Sequence, residues 1–189
     1  MLKKRREIIK ATLILLALCA ASAIILASLN TLLSGFEETQ RAIPARAAME
    51  RVLPADDYIP LDFEAGGGVL AVYEAKTGGE RVGFCVETAA PDYDGEMTAL
   101  IAINNDKKVA AVEIISMPEG VGTKVKDIAY LSRFAGKSGK LTSVKAKAAT
   151  ETEISAVSGA TASSDAVVAC VNHALGAVSQ ISAKEAVAE

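Results

Sequence analysis

The sequence has few residues that bind metal ions. Its 189 residues include one histidine and three cysteines, and tryptophan is absent. Cys85 and Cys170 belong to no CxxC pair and lack zinc-ligand spacing, and His173 does not complete a ligand set. We therefore expect no metal centre. Cys85 and Cys170 are expected to be small buried residues, with a disulfide between them as the alternative in an oxidising compartment.

Motifs for common enzyme chemistry are also missing. The chain contains no GxSxG and no HExxH, and no histidine lies close in sequence to a candidate nucleophile. The AGKS run at 135–138 resembles the end of a P-loop, but Leu131 occupies the position of the required earlier glycine. Gly120 and Gly122 begin a GxGxxG pattern whose third position is Val125. The sequence therefore predicts neither an ATPase nor an NAD-binding domain.

Charge is low overall and unevenly distributed. The formal net charge is -3, which does not indicate a nucleic-acid-binding protein. The first ten residues contain five basic side chains and one acidic one, so this segment carries +4 and the rest of the chain carries -7. Basic flanks of membrane segments tend to stay on the cytoplasmic side. The basic tip therefore predicts a cytoplasmic N-terminus.

A long apolar run follows the basic tip. No charged residue occurs from Ala11 to Phe36, and about 20 apolar residues span a bilayer as a helix. A cleaved signal peptide with a small-residue site at 21–23 is one alternative, and a buried helix of a soluble protein is another. We favour an uncleaved anchor. The predicted regions are a basic tip (1–10), a transmembrane anchor (11–34), a linker and helix (35–67) and an extracytoplasmic domain (68–189).

The remainder of the chain predicts an α+β fold, with a twisted antiparallel sheet and helices packed on it, preceded by the N-terminal transmembrane helix. Apolar runs separated by turn residues predict strands at 69–73, 81–88, 97–103 and 109–115, with a weaker one at 141–146. Helices are predicted at 37–53 with a break at Pro44, at 124–134, and from about Ser163 to Ile181. The second is expected to place five apolar residues near one face: Val125, Ile128, Ala129, Leu131 and Phe134. The third has six apolar residues on one side: Val167, Val168, Val171, Leu175, Val178 and Ile181.

A run of small residues immediately precedes the last predicted helix. It reads SAVSGATASSD from Ser155 to Asp165. Gly159 allows close approach of the backbone, and a helix N-terminus offers free N–H groups and the positive end of the helix dipole to a phosphate. The alternative from the residues alone is an ordinary helix start with Ser163 or Ser164 as N-cap. On physical grounds alone the ordinary helix start is favoured.

The SGAT run, followed by serine and an apolar helix, resembles the flavinylation motif Dxx(S/T)GAT of the FMN-binding domain family. The resemblance extends to the anchor, the hairpin at 97–115, the glycine loop and the FxGKS-like run at 134–138. Members include the G subunit of the Rnf electron-transport complex, which this chain resembles more, and the C subunit of the sodium-pumping quinone reductase. The resemblance implies that Thr161 carries FMN through a phosphoester, which a flavin transferase forms with FAD as donor.

Further site residues follow from the same resemblance. Ser158, Gly159 and Ala160 are expected to surround the phosphate, and Gly120, Gly122 and Lys124 are expected near the flavin ring. Two positions depart from the family pattern. Ser155 stands where the family has an acidic residue, with Glu153 two positions before it. The glycine loop reads PEGVG, with proline one residue further from the glycines than in the family's PGLG-type loop.

The function implied by the resemblance is electron transfer within a membrane complex that couples ferredoxin oxidation and NAD reduction to ion movement. The chain would be a flavoprotein subunit of this translocase, not catalytic alone, with other Rnf subunits and the flavin transferase as partners. Two alternatives remain open. One is a membrane-tethered binding or assembly module of the same fold without covalent flavin, and the other is an unrelated enzyme with a Ser or Thr nucleophile in the SGAT run.

Overall fold

The computed structural model describes Leu16, Ser22 and residues 46–63, 66–119 and 122–188. The chain divides into two compact units, Met1–Ala45 and Arg46–Glu189. The predicted transmembrane anchor and the first part of the predicted helix at 37–53 fall outside the described residues, apart from Leu16 and Ser22, which are helical. The second unit contains the sheet and the helices described below.

Five antiparallel strands form the main sheet in the order of the sequence. They are β1 (Asp57–Pro60), β2 (Val69–Thr77), β3 (Glu80–Asp92), β4 (Gly95–Asn104) and β5 (Val109–Ser116). Gly78 and Gly79 join β2 to β3 with φ angles of 60° and 87°, as a two-residue hairpin turn requires. The predicted antiparallel meander is confirmed. β1 was not predicted, because it is only four residues long and ends with a proline.

The long helix α3 (Thr161–Ala188) packs on one face of this sheet. Val72, Val86, Ile101 and Val112 are opposite one another on four neighbouring strands and form a buried row across that face. The predicted apolar side of α3 is confirmed: Val167, Val168, Val171, Leu175 and Val178 are buried, and Ile181 packs against the core.

The other face of the sheet is covered by residues 46–52, which are helical and are called α1 here. Met49 and Val52 are buried, and Arg51 forms an ion pair with Glu113 of β5. Side chains of successive residues in a strand point to opposite faces. Val112 faces α3, so its neighbour Glu113 points to the opposite face.

The segment predicted as one helix at 124–134 is broken, and that prediction is wrong. It forms a 3₁₀ helix (Thr123–Lys126), α2 (Ile128–Leu131) and a second 3₁₀ turn (Ser132–Phe134). Asp127 separates the first two in an extended conformation, and its carboxylate accepts a hydrogen bond from Ala129 N at 3.0 Å. The break turns Ile128 outward, so this predicted core residue is 83% exposed. Tyr130 is buried instead, packed edge-on against Phe134.

Two short strands complete the unit. The weak strand predicted at 141–146 is observed as β6 (Thr142–Val144), and it pairs in parallel with β7 (Glu153–Ser155). Among the described residues, one helix, Thr161–Ala186, is long and apolar enough to cross a bilayer, with a mean hydropathy of 1.4. Half of its most apolar window is buried inside the protein, so packing against the sheet accounts for its hydrophobicity.

Candidate functional site

The SGAT run forms a tight turn at the start of α3. Ala160 N donates to Val157 O at 3.0 Å, and Gly159 has a φ angle of 78°, in the left-handed region that favours glycine. Ser158 and Gly159 are exposed, whereas Ala160 is buried and fixes the turn to the core. Thr161 follows as the first residue of α3 and is partly exposed. Four of the predicted site residues therefore occupy one continuous turn.

Ser164 connects this turn to the first turn of the helix. Its hydroxyl oxygen accepts a hydrogen bond from Val157 N at 2.9 Å and donates its proton to Ala160 O at 2.8 Å. The ordinary helix start would have placed Ser163 or Ser164 at the N-cap. Because α3 begins at Thr161, both serines lie inside the helix instead. Ser164 is completely buried, so its role is to hold the turn in place from below.

Ser163 points to a different partner, the carboxylate of Asp92 at the end of β3. Ser163 Oγ donates to Asp92 Oδ1 at 2.9 Å, and Tyr93 N donates to the same oxygen at 2.7 Å. The second oxygen, Oδ2, is buried and has no hydrogen-bond partner among the described residues. Sequence reasoning missed Asp92, because no local pattern shows that the β3–β4 turn meets the start of α3.

The glycine loop reaches the same place. Gly122 has a φ angle of 85°, and a β-carbon built on it would overlap the Ser163 hydroxyl and lie 2.8 Å from Ser163 Cβ. The structure therefore brings Gly122 directly against the start of α3. Lys124 is exposed in the 3₁₀ helix that follows. Gly120 lies outside the described residues.

Polar contacts hold the chain before the SGAT turn and occupy the side chains of Ser155 and Glu153. Ser155 Oγ accepts from Ala148 N at 2.7 Å, and its carbonyl accepts from Arg133 at 3.1 Å. Glu153 accepts from Ala149 N at 2.7 Å. Both side chains therefore bind the adjacent loop, and Glu153 is engaged there rather than standing in for an acid at position 155.

Tyr130 supports the helix start from the core side. Its hydroxyl donates to Ser164 O at 3.4 Å, and the Arg133 guanidinium lies 5.5 Å from the centre of its ring. Burial raises the pKa of the Tyr130 phenol above its ordinary value, so the hydroxyl keeps its proton and acts as a donor at neutral pH.

The cysteines and the histidine lie apart from these contacts in packed positions. Cys85 and Cys170 are both buried free thiols, and burial raises the pKa of Cys85 to about 12 and that of Cys170 to about 11. His173 Nδ1 lies 3.2 Å from Ala89 O, beside Gly68, where a side chain would overlap the ring. Across the described residues, no group of three or more His, Cys, Asp or Glu side chains is arranged to hold a metal ion.

The AGKS run also has a structural explanation. Gly136 N donates to Val109 O at 2.8 Å, and Val109 N donates to Lys137 O at 2.9 Å. The backbone of this run therefore pairs with the start of β5, and its Gly136 amide is not free to bind a phosphate.

The arrangement at the start of α3 suits a phosphorylated ligand tethered to Thr161. The first amides of a helix lack acceptors within the helix and attract phosphate. Gly122 lets the backbone of the glycine loop pack directly against Ser163, whose side chain fills the place of a Gly122 β-carbon. Asp92 Oδ2 is a buried acceptor that needs a donor. The residues thus offer donors for a phosphate and an acceptor for a hydroxyl or N–H group, which FMN carries.

Comparison with known proteins identifies the class. The FMN-binding domain family matches residues 92–176, which include Asp92, Gly122, Lys124 and the SGAT turn. The G subunit of the Na(+)-translocating ferredoxin:NAD(+) oxidoreductase complex of Acetobacterium woodii is 32% identical over 190 residues, covering 90% of this chain and 91% of that protein. The chain therefore belongs to the FMN-binding domain family.

Two solved structures align with part of the chain. Shewanella oneidensis NqrC covers 63% of this chain with a TM-score of 0.47 and 17% identity, over 64% of its own length. The C subunit of the Na(+)-translocating NADH-quinone reductase from Parabacteroides distasonis covers 56% with a TM-score of 0.46 and 18% identity, over 58% of its own length. The alignments span less than two thirds of either protein.

Proposed function

We propose that this chain is the G subunit of an Rnf-type ferredoxin:NAD oxidoreductase complex, a membrane-anchored electron-transfer protein that carries FMN covalently on Thr161. The observation that carries the proposal is the position of Thr161. It is the first residue of a long helix, it is partly exposed, and the buried Ala160 and Ser164 hold the turn before it. The similarity to a known G subunit over 90% of the chain supports the assignment to the complex.

Attachment requires a flavin transferase with FAD as donor. Thr161 Oγ would form the bond to the phosphorus of the FMN half of FAD as the pyrophosphate bond breaks, and AMP would leave with the hydroxyl proton. The amides at the start of α3 stabilise the negative charge on that phosphate. Ser158 and Gly159 are exposed, so the transferase has access to the turn.

Once bound, FMN supplies one- and two-electron transfer, and the protein supplies position and electrostatics. The SGAT turn holds the phosphate, and Gly122 keeps the backbone of the glycine loop against the start of α3. Gly120 and Lys124 are proposed to lie near the ring. In this scheme the chain passes electrons between other subunits of an ion-translocating complex and has no catalytic activity alone.

The apolar run at 11–34 is proposed to anchor the protein as a single transmembrane helix in the cell membrane. The basic tip favours a cytoplasmic N-terminus, which leaves the FMN-binding domain outside the cytoplasm. A covalent tether suits that location, because it prevents loss of FMN where no flavin is supplied.

The second candidate is a membrane-tethered module of the same fold without covalent flavin. Ser155 favours it, since the family's motif has an acid there and the nearby Glu153 is bound to Ala149 N. If the transferase requires that acid, Thr161 stays unmodified.

In-gel fluorescence and intact mass of the full chain, expressed with and without the transferase, distinguish the two candidates. The wild-type chain and Thr123→Val, which removes another threonine hydroxyl next to Gly122, should each give a fluorescent band and a mass increase of one FMN. Thr161→Val should give neither while keeping the wild-type circular dichroism spectrum. A band that persists in Thr161→Val would show that FMN is attached elsewhere, and no band from the wild type would support the second candidate.

A further inference from the structure

Asp92 uses only half of its carboxylate within the described residues. Oδ1 accepts two hydrogen bonds, from Ser163 Oγ and Tyr93 N, whereas Oδ2 is buried without a donor. A buried carboxylate oxygen without a donor is unfavourable, because it has lost its hydration and gained nothing in return. Such an atom in a native fold indicates a missing partner.

The position of Asp92 indicates what that partner is attached to. Asp92 is bonded to Ser163, which lies two residues after Thr161 in the first turn of α3, where one turn rises about 5.4 Å. Gly122 faces the same serine. Thr161 and Ser163 lie in the same turn of α3 but on different sides of it, so a group tethered to Thr161 reaches the free oxygen only if it extends around the start of the helix.

The chemistry of the tethered group decides which of its atoms fits. A carboxylate repels phosphate oxygens and flavin carbonyl oxygens and accepts hydrogen bonds from hydroxyl or N–H groups. The ribityl chain of FMN joins directly to the phosphate and carries hydroxyl donors. Ser163 has already given its only proton to Asp92, so it orients Asp92 and does not donate to the phosphate.

We propose that Asp92 Oδ2 accepts a hydrogen bond from a ribityl hydroxyl of the FMN carried on Thr161. This contact rests on the proposed function. It makes Asp92 a cofactor-binding residue held in place by Ser163, and it means that flavin loading satisfies an acceptor that the apo protein leaves unpaired.

The test compares apo and flavin-loaded full-length protein in detergent by urea unfolding. Asp92→Asn keeps the size of the side chain and the acceptor at Oδ1 but turns Oδ2 into a donor. Flavin loading raises the equilibrium constant for folding, and the ratio of its loaded to its apo value should be about tenfold smaller in Asp92→Asn than in the wild type. This factor corresponds to the loss of one charge-assisted hydrogen bond. Asp94→Asn, which removes the same charge from an exposed residue of the same turn, should behave as the wild type.

The outcomes separate this contact from the proposed function. A wild-type chain without a fluorescent band overturns both. A loaded wild type with equal loading effects in wild type and Asp92→Asn overturns the contact alone, because a purely structural role of Asp92 would change apo and loaded protein equally. A larger loading effect in Asp92→Asn would also overturn it, since Oδ2 would then face an acceptor.

If Asp92→Asn blocks the transferase, free FMN replaces the covalent cofactor. Quenching of FMN fluorescence on titration with apo protein should then give an affinity about tenfold lower for Asp92→Asn than for the wild type. Equal affinities would overturn the contact.

Discussion

Gly122 and Ser163 are in direct contact, although they belong to separate parts of the chain. A β-carbon on Gly122 would overlap the Ser163 hydroxyl, and Met117 Cε lies 3.8 Å from the same point. The left-handed φ angle of Gly122 and the absence of a side chain both serve this contact. The loop after β5 and the start of α3 can therefore adopt their observed arrangement only with glycine at this position.

We expect Gly122→Ala to destabilise the protein by about 2–5 kcal/mol, from left-handed strain of about 1–2 kcal/mol and overpacking of about 1–3 kcal/mol. Urea unfolding measures the change. The overlap would also push Ser163 away from Asp92, so flavin attachment should fall in parallel, as measured by in-gel fluorescence.

Gly136→Ala provides the matched control for this substitution. Gly136 has a φ angle of 77°, but nothing lies within 4 Å of a β-carbon built there. Gly136→Ala should therefore reduce the free energy of unfolding only by the backbone strain, about 1–2 kcal/mol. Equal losses at the two positions would show that Gly122 and Ser163 are not in close contact in solution.

Ser164→Ala should remove the link between the SGAT turn and the helix. The substitution leaves the partly buried Val157 N without its acceptor, and a donor left without a partner there should cost about 1–2 kcal/mol. Ser179→Ala is the control in the same helix, because Ser179 donates only to Leu175 O and should change stability by less than about 0.5 kcal/mol. Similar effects of both substitutions on urea unfolding would contradict the role assigned to Ser164.

The sheet was predictable from the sequence because its signals are local. Alternating apolar residues bounded by Gly78-Gly79 and by the polar turn at 104–108 specify strands and hairpins within a few residues of one another. The break in the segment 124–134 was not predictable, because the spacing of its apolar residues fits one continuous helix. Only the carboxylate of Asp127, which accepts a hydrogen bond from Ala129 N, shows that a new helix begins there.

The site was only partly predictable for a similar reason. The SGAT residues are contiguous, so the motif indicated them directly. Asp92 and Ser163 meet only because β3 ends next to the start of α3. A contact between positions so far apart in the chain leaves no trace in a single sequence. The same holds for the contact of Gly122 with Ser163, where the motif suggested the glycine but not its neighbour.

The buried thiols predict a loss of stability in alkali. The ordinary pKa of a cysteine is 9.0, and burial raises that of Cys170 to about 11 and that of Cys85 to about 12. Between pH 9 and pH 11 the unfolded chain has lost both thiol protons and the folded chain keeps them. The stabilising effect of the buried thiols is therefore fully present below pH 9 and is lost as the pH rises. The slope is about 1.4 kcal/mol per pH unit for each thiol.

Urea unfolding between pH 8 and 11 under reducing conditions measures this slope. Cys85→Ala should be less steep than the wild type by about 1.4 kcal/mol per pH unit, because a change in packing alone does not depend on pH. Equal slopes would show that Cys85 ionises at its ordinary pKa and is therefore accessible to water in the folded protein.

The side chain of Asn172 in α3 forms hydrogen bonds with both backbone polar groups of Leu141, as a neighbouring strand would. Its Oδ1 accepts from Leu141 N at 2.8 Å, and its Nδ2 donates to Leu141 O at 2.9 Å. Asn172→Asp keeps the first bond but sets a charged oxygen against a carbonyl, which should cost about 3 kcal/mol at pH 7.

The cost of Asn172→Asp should shrink as the pH falls through the raised pKa of the new carboxyl, because the protonated acid can donate to Leu141 O as the amide did. Asn105→Asp is the matched control, since Asn105 also donates to a backbone carbonyl, that of Arg81, but is exposed. Water can solvate the new charge there, so that substitution should cost less than about 0.5 kcal/mol. If Asn172→Asp were equally mild at pH 7, the carboxylate would have to be hydrated, and the side of α3 that faces β6 would be open to water rather than packed.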